Sequence, residues 1–355
     1  MSELIVQINN RQMIRWKLLM GVSGLALGSY LSSVAAARAS DKEQPMVWIE
    51  LDGQFTNQSV GSESFVPPFA ESSPFGSGIE LARKRPPSGW DEGGKITFEP
   101  ADSDWLLSLG VRYGKGSRQK ARNQYTKQTG GYWSKYYTAL QSVKAASSEK
   151  HLVLDFQAGK DIGLGMFGQQ GKSTVSLGVR YAQFSSRNNI TLRSITAAVP
   201  TSYYIFHAAF DAKHDFNGIG PSLSWDASAD LPGNHADGSL TLDWGINGAV
   251  LFGRQKVKIH HHKTGQYQEE TAKYYPSLRT TVYHTSASPE RSESVTVPNL
   301  GGYAALSLRY SKVKISLGYR VDYFFGAIDG GIDSRTTYNR GFYGPYASFS
   351  IGLGG

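Results

Sequence analysis

No cysteine occurs among the 355 residues of this chain, so no disulfide can staple it. Long apolar runs are equally scarce. Beyond the N-terminal region no stretch reaches the roughly 18 residues that a spanning helix needs, and mean hydropathy is negative. Charge of one sign is also missing: 37 Lys and Arg stand against 29 Asp and Glu, a formal charge of +8. The bases are scattered rather than gathered in a stripe, which argues against a nucleic-acid partner. What the chain does have is 40 Gly, 20 Tyr and 16 Phe, a balance unlike that of a helical membrane protein.

The N-terminus reads as an export signal over residues 1–39. Arg11, Arg15 and Lys17 precede a modest apolar stretch, Leu18 to Leu31, and Ala37-Arg38-Ala39 offers a small-residue cleavage site. That stretch, interrupted by Gly21, Gly24 and Gly28, falls short of the ~20 residues of a membrane anchor. Residues 40–355 are then expected to form one domain.

Past residue 45 the chain alternates apolar and polar residues in short segments. The clearest is Val313 to Phe325, where Val313, Ile315, Leu317, Tyr319, Val321, Tyr323 and Phe325 share one face. A helix does not give that spacing. Ser311-Lys312 joins it to Ala304–Tyr310 as a tight hairpin, and Asn217-Gly218 offers a second two-residue turn between Tyr203–Phe216 and Ile219–Ala229. Further segments are Val47–Phe55, Lys95–Glu99, Trp105–Tyr113, Leu152–Ala158, Val175–Tyr181, Leu240–Phe252, Gln255–His260 and Phe342–Leu353. Short turns then alternate with long polar connections, at about 56–94, 114–150, 185–201 and 261–299 among others. The expected fold is all-β: a transmembrane antiparallel up-and-down barrel of about 12 strands, an even number between 10 and 14. Aromatic residues near strand ends, such as Trp105, Tyr113, Tyr181, Tyr204, Trp225, Tyr310, Tyr323 and Tyr343, suit its interface girdles. A secreted β-sandwich is the soluble alternative.

If the apolar parity faces lipid, the other parity lines the lumen. This set comprises Arg112, Asp155, Arg180, Asp211, Asp226, Asp243, Lys256, Lys258, Arg309, Lys314, Arg320 and Asp322, with Glu50, Asp52, Lys95 and Glu99. Acids and bases balance, so the wall is either a wet channel or a paired network that plugs it.

Other motifs read more plainly. Gly163-Leu-Gly165-Met-Phe-Gly168 spells a dinucleotide fingerprint without the helix that its mechanism needs, so it is a turn. His260-His261-His262 points to both faces of an extended chain and has no Cys or carboxylate at ligand spacing, so no metal or cofactor is expected. His284 and Ser286 stand two apart, as in outer-membrane phospholipases, but the orienting third group cannot be named. No enzymatic activity is therefore expected. Arg83-Lys84-Arg85 could touch lipopolysaccharide phosphates.

Two stretches, His214–Gly233 ("HDFNGIGPSLSWDASADLPG") and Asp155–Phe184 ("DFQAGKDIGLGMF…LGVRYAQF"), resemble the pore-forming outer-membrane proteins typified by the Legionella major outer membrane protein. The ending "GFYGPYASFSIG" is similar too. The resemblance implies a Gram-negative outer-membrane barrel with porin-like passage of small polar solutes. Its partners would be outer-membrane lipid, lipopolysaccharide and the barrel-assembly machinery. The chain ends Leu353-Gly354-Gly355 rather than in the aromatic residue that the machinery reads in many such barrels. A structural or adhesive barrel with a closed lumen is the second expectation, and the oligomeric state is left open.

Overall fold

The computed structural model describes residues 45–60, 88–128, 136–162, 173–199, 202–231, 238–270, 278–330 and 335–354. The expected signal, the Arg83-Lys84-Arg85 run and the Gly163–Gly168 turn lie outside the described residues. Eleven strands occur among the described residues: β1 (Met46–Val60), β2 (Ser88–Glu99), β3 (Trp105–Gln128), β4 (Tyr136–Asp161), β5 (Ser173–Val199), β6 (Ser202–Asp230), β7 (Ser239–Glu270), β8 (Leu278–Ala287), β9 (Glu290–Tyr310), β10 (Val313–Asp329) and β11 (Thr337–Gly354). All pair antiparallel in one sheet, and β6–β7 and β1–β11 contacts close it.

Closure can be traced residue by residue. From Gln255 the ladder partners run through Phe216, Phe184, His151, Gly114, Asp91, Gln54, Tyr346, Gly318 and Ala305 to Asp243. Asp243 lies on the starting strand, twelve positions before Gln255. A stagger of that size over ten staves implies a strand tilt of roughly 40°, inside the usual range for barrels. β8 and β9 count as one stave, because both pair with β7 in a single unshifted register, His261 with Ala287 and Lys258 with Glu290. Pro289 sits at their joint, where it has no N–H to give, but its carbonyl still accepts from Ile259 N at 3.0 Å. Ten staves fall within the expected even range.

An apolar belt wraps the outside. Leu51, Leu177, Leu306 and Leu317 are all more than half exposed, which in water would be a gross liability and in lipid is the requirement. On β7 the belt runs from Leu240 to Phe252, on β10 from Val313 to Phe325. At that length and tilt it is roughly 25–30 Å tall. Phe55, Trp90, Tyr113, Tyr181, Phe252, Phe325 and Tyr343 ring its upper rim, and Trp105 and Tyr310 stand at the lower one. Tyr204, expected in a girdle, sits on β6 far above Ile219 and outside the belt.

Above the upper rim the pattern inverts, and this corrects several readings. β6 keeps one inward parity from Phe206 to Ser224 without interruption. Its outward residues change from Ile219 and Leu223 below to Asn217, Asp215, Lys213 and Asp211 above, while its inward residues change from Ser222 and Ser224 to Phe216, Ala212, Phe210 and Phe206. Apolar residues thus swap faces where the stave leaves the lipid. Read from sequence, that swap looks like a break in phase, so Asn217-Gly218 is not a turn but a point inside one strand. Gly218 pairs with Gly253, and a Cβ on Gly253 would come within 2.1 Å of the Asn217 carbonyl oxygen. The glycine pair serves close strand approach, not reversal. β7 passes unbroken through Gly253 for the same reason. The connections expected as long loops at 114–150, 185–201 and 261–299 are largely strand: β3 to β7 continue upward as a tall wall, and β7 is 32 residues long.

The Ser311-Lys312 hairpin forms as expected, with Ser311 at φ 50°. A non-glycine residue there carries strain of roughly 1 kcal/mol. Ser311→Gly is therefore expected to raise the unfolding midpoint in denaturant, and a lower midpoint would show that the serine side chain compensates.

Candidate functional site

The lumen inside the belt is built in layers. Lowest is a polar vestibule of about 480 Å³ near the short-turn end, lined by Glu50, Lys95, Glu99, Asp226, Asp243, Arg309 and Lys314 among others. Lys314 Nζ lies 2.6 Å from Asp243, which also accepts from Ser307 Oγ at 2.5 Å. The Arg309 guanidinium stands over the Trp48 ring at 5.6 Å.

A layer of arginine–aspartate pairs crosses the lumen above it. Arg180 donates two bonds to Asp155, at 2.6 and 3.1 Å, and reaches across to Asn247 at 2.7 Å and to Asn299. Arg320 donates to Asp52 at 2.7 Å and stacks over Tyr346 at 4.5 Å. Arg112 pairs with Asp322. Tyr303 donates to Asp226 at 2.9 Å. A cavity of about 140 Å³ remains among these groups. Pairs of this kind hold only where geometry and extra hydrogen bonds offset the cost of desolvation, and fork-shaped arginines suit that role.

The next level is divided. On the side of β5, β6, β7, β9, β10 and β11 the interior is apolar: Phe184, Phe216, Phe324, Phe342, Leu251 and Val297 pack as one cluster. Phe184 meets Phe324 edge-on at 4.6 Å. On the side of β1 to β4 the same level is polar: Gln54, Thr56, Asp91, His151 and Glu149 are buried there. His151 Nε2 lies 3.0 Å from Asp91, and Glu149 pairs with Arg340 at 3.0 Å near the upper rim. Glycine makes the room. A Cβ on Gly114 would come within 2.1 Å of His151 and 2.2 Å of Asp91, whereas one on Gly110 would meet nothing nearer than 3.8 Å. Gln54 Oε1, Thr56 Oγ1, Asp91 Oδ1, His151 Nδ1 and Asp322 Oδ1 are buried and find no hydrogen-bond partner among the described residues. Buried polar atoms left by the protein call for a polar guest, water or another, to offset their desolvation. The result is a polar seam along the β1–β4 wall beside an apolar plug.

Most of the expected lumen residues stand on the inward face: Arg112, Asp155, Arg180, Asp226, Asp243, Arg309, Lys314, Arg320 and Asp322 line these two cavities. Asp211, Lys256 and Lys258 do not. They lie above the belt on the outward parity, where Asp211 meets Arg187 at 2.7 Å and Glu290 takes both lysines at 3.3 and 3.0 Å. The face swap at the rim carried them outside. Arg320 does not balance Asp322, its near neighbour in sequence; each pairs with a residue from a distant strand. Gln54, Asp91, His151, Glu149 and Arg340 escaped the sequence reading. The signal for two of them was present, since Glu149 and His151 continue the parity of Val153 and Asp155 on β4.

The histidine motifs scatter. His260 and His262 face outward with ring centres 6.2 Å apart, while His261 is buried. His284 Nδ1 lies 3.1 Å from the Thr264 hydroxyl, which is no carboxylate to orient a base. His214 has a clearer part. It sits above Asn217, beyond the membrane-spanning stretch of β6, and hydrogen-bonds the Asp329 carbonyl. Burial pushes its imidazole from the usual 6.5 down to about 4, with Arg340 and Arg291 in support and the Asp329 bond opposing. The folded ring stays neutral while the unfolded one takes up a proton, so its contribution is whole above pH 6.5 and is lost as pH falls towards about 4. Between about pH 7 and about pH 5 the wild-type barrel should lose roughly 2 kcal/mol that His214→Gln does not lose. Parallel unfolding curves for the two proteins across that range would refute this.

No family model matches the chain, and no curated protein matches it. Among solved structures, the Pseudomonas putida toluene transporter TodX is similar at 8% identity over 89% of this chain and 91% of its own, with a TM-score of 0.19. The transport unit of the Escherichia coli autotransporter AIDA-I is similar at 8% identity over 92% and 97%, with a TM-score of 0.18. TM-scores this low carry no argument; the fold rests on the closed ladder itself.

Proposed function

We propose that this chain is an outer-membrane barrel that passes small polar solutes or ions along the seam on its β1–β4 wall, as the sequence resemblance to pore-forming outer-membrane proteins also implies. The observation that carries the reading is the run of buried polar atoms without partners among the described residues, from Asp322 of β10 in the arginine–aspartate layer to Gln54, Asp91 and His151 on the wall above it. These atoms offer an ion or solute hydrogen bonds in place of water, and the arginine–aspartate layer below them forms the constriction. Met46 and Gly354, the outer ends of β1 and β11, pair at the short-turn end, so the tall wall faces outward and the vestibule faces the periplasm. The pathway uses no catalytic group, cofactor or metal.

Single-channel recording of the refolded protein tests this. Gly114→Ala pushes a methyl into the His151–Asp91 contact and should cut conductance, whereas Gly248→Ala, on the outward parity of β7 with its nearest contact at 3.6 Å, should leave it unchanged. A silent wild-type bilayer would overturn the proposal and favour a second reading, a structural or adhesive barrel. That reading has its own support in the phenylalanine plug and in the pairing of Arg112, Arg180 and Arg320.

A further inference from the structure

The outer wall above the belt is unevenly charged. Immediately over the rim from β3 to β9 stand Lys115, Lys150, Gln183, Asn217, Arg254 and Thr296: three bases, three neutral polar residues and no acid. Below the level of His262 this face carries three acids, and each is already met by a base. Asp211 meets Arg187, Asp215 meets Lys213, and Glu290 takes Lys256 with Lys258. Lys115, Lys150 and Arg254 are exposed and have no acidic partner among the described residues. Higher on the same face, a depression of about 530 Å³ is lined by Lys144, Arg193, His207 and His262 among others, again without an acid.

We propose that this face binds the phosphates of an anionic glycolipid in the leaflet on the tall side, Lys115, Lys150 and Arg254 taking the head-group phosphates and the upper depression a second anionic group. Height supports this occupant. The three bases sit one residue step above the last lipid-facing side chains, Tyr113, Leu152 and Phe252, where head groups begin. Lysine and arginine near an anionic membrane surface each add to binding, and arginine takes phosphate in a fork. The inference rests on the membrane-spanning reading but not on the pore.

The test is reconstitution of the full chain into phosphatidylcholine nanodiscs doped with bisphosphorylated lipid A, followed by mass spectrometry of the lipid that stays bound. Wild type should enrich lipid A over phosphatidylcholine, should discriminate against the dephosphorylated lipid, and should release lipid A as salt rises. The triple variant K115Q/K150Q/R254Q should hold at least ~tenfold less. Equal retention by the variant, or equal retention of dephosphorylated lipid A by wild type, would overturn the proposal. Folding is read separately from the β-sheet circular dichroism of the same samples. A wild-type chain that failed to insert would count instead against the membrane-spanning reading, and salt titration of wild type alone decides the matter if the variant does not fold.

Discussion

Replacing Arg180 by leucine should cost the barrel about 3 kcal/mol in denaturant unfolding from lipid vesicles. The side chain of Arg180 is almost wholly buried and ties β5 to Asp155 on β4, Asn247 on β7 and Asn299 on β9. Removing one member of a buried pair leaves the other charge uncompensated, at a cost of about 3–5 kcal/mol. The lower figure applies because the side chain of Asp155 is 24% exposed and keeps some water. The double variant D155L/R180L should recover more than half of the loss, since neither charge is then stranded. If the double variant is as unstable as the single one, the arginine acts through its shape and its amide contacts rather than its charge.

The second large effect concerns the belt. Leu317→Arg should impair insertion into vesicles, because Leu317 faces outward at mid-belt and is 64% exposed to what must be lipid. An arginine near the bilayer midplane costs ~2–4 kcal/mol. Thr97→Arg should fold almost as wild type, since Thr97 lines the polar vestibule, where an arginine finds water and acids. Similar folding yields for the two variants would mean that the inward and outward parities have been exchanged.

The belt was legible in the sequence because lipid imposes one simple rule, apolar residues at every second position, and β10 obeys it from Val313 to Phe325. The short turn at Ser311-Lys312 was legible for the same reason. What period two could not show is that the rule reverses above the rim. There water lies outside and the packed interior inside, so Phe210, Phe216 and Ile259 turn inward while Lys256 and Asp211 turn out. A reader tracking apolar residues alone sees two strands and a turn where β6 runs straight through. The pairing of the lumen charges was illegible for another reason. Arg112 meets Asp322 and Arg320 meets Asp52 only because the ladder closes with a particular stagger, and stagger is a property of the whole ring.

The tall wall also sets how this protein can change length over evolution. Within a stave, one inserted residue would turn every later side chain to the opposite face, sending Phe206 and Phe210 into water and Lys213 into the packed interior. Insertions in the wall of β6 or β7 are therefore tolerable in twos, or at the tips where strands end. One site escapes that parity. At Ser288-Pro289, where β8 hands over to β9, the ladder already lacks a donor, and an odd residue there can bulge without disturbing either segment. Relatives of this chain should vary in length by even numbers along the wall and by any number at that joint.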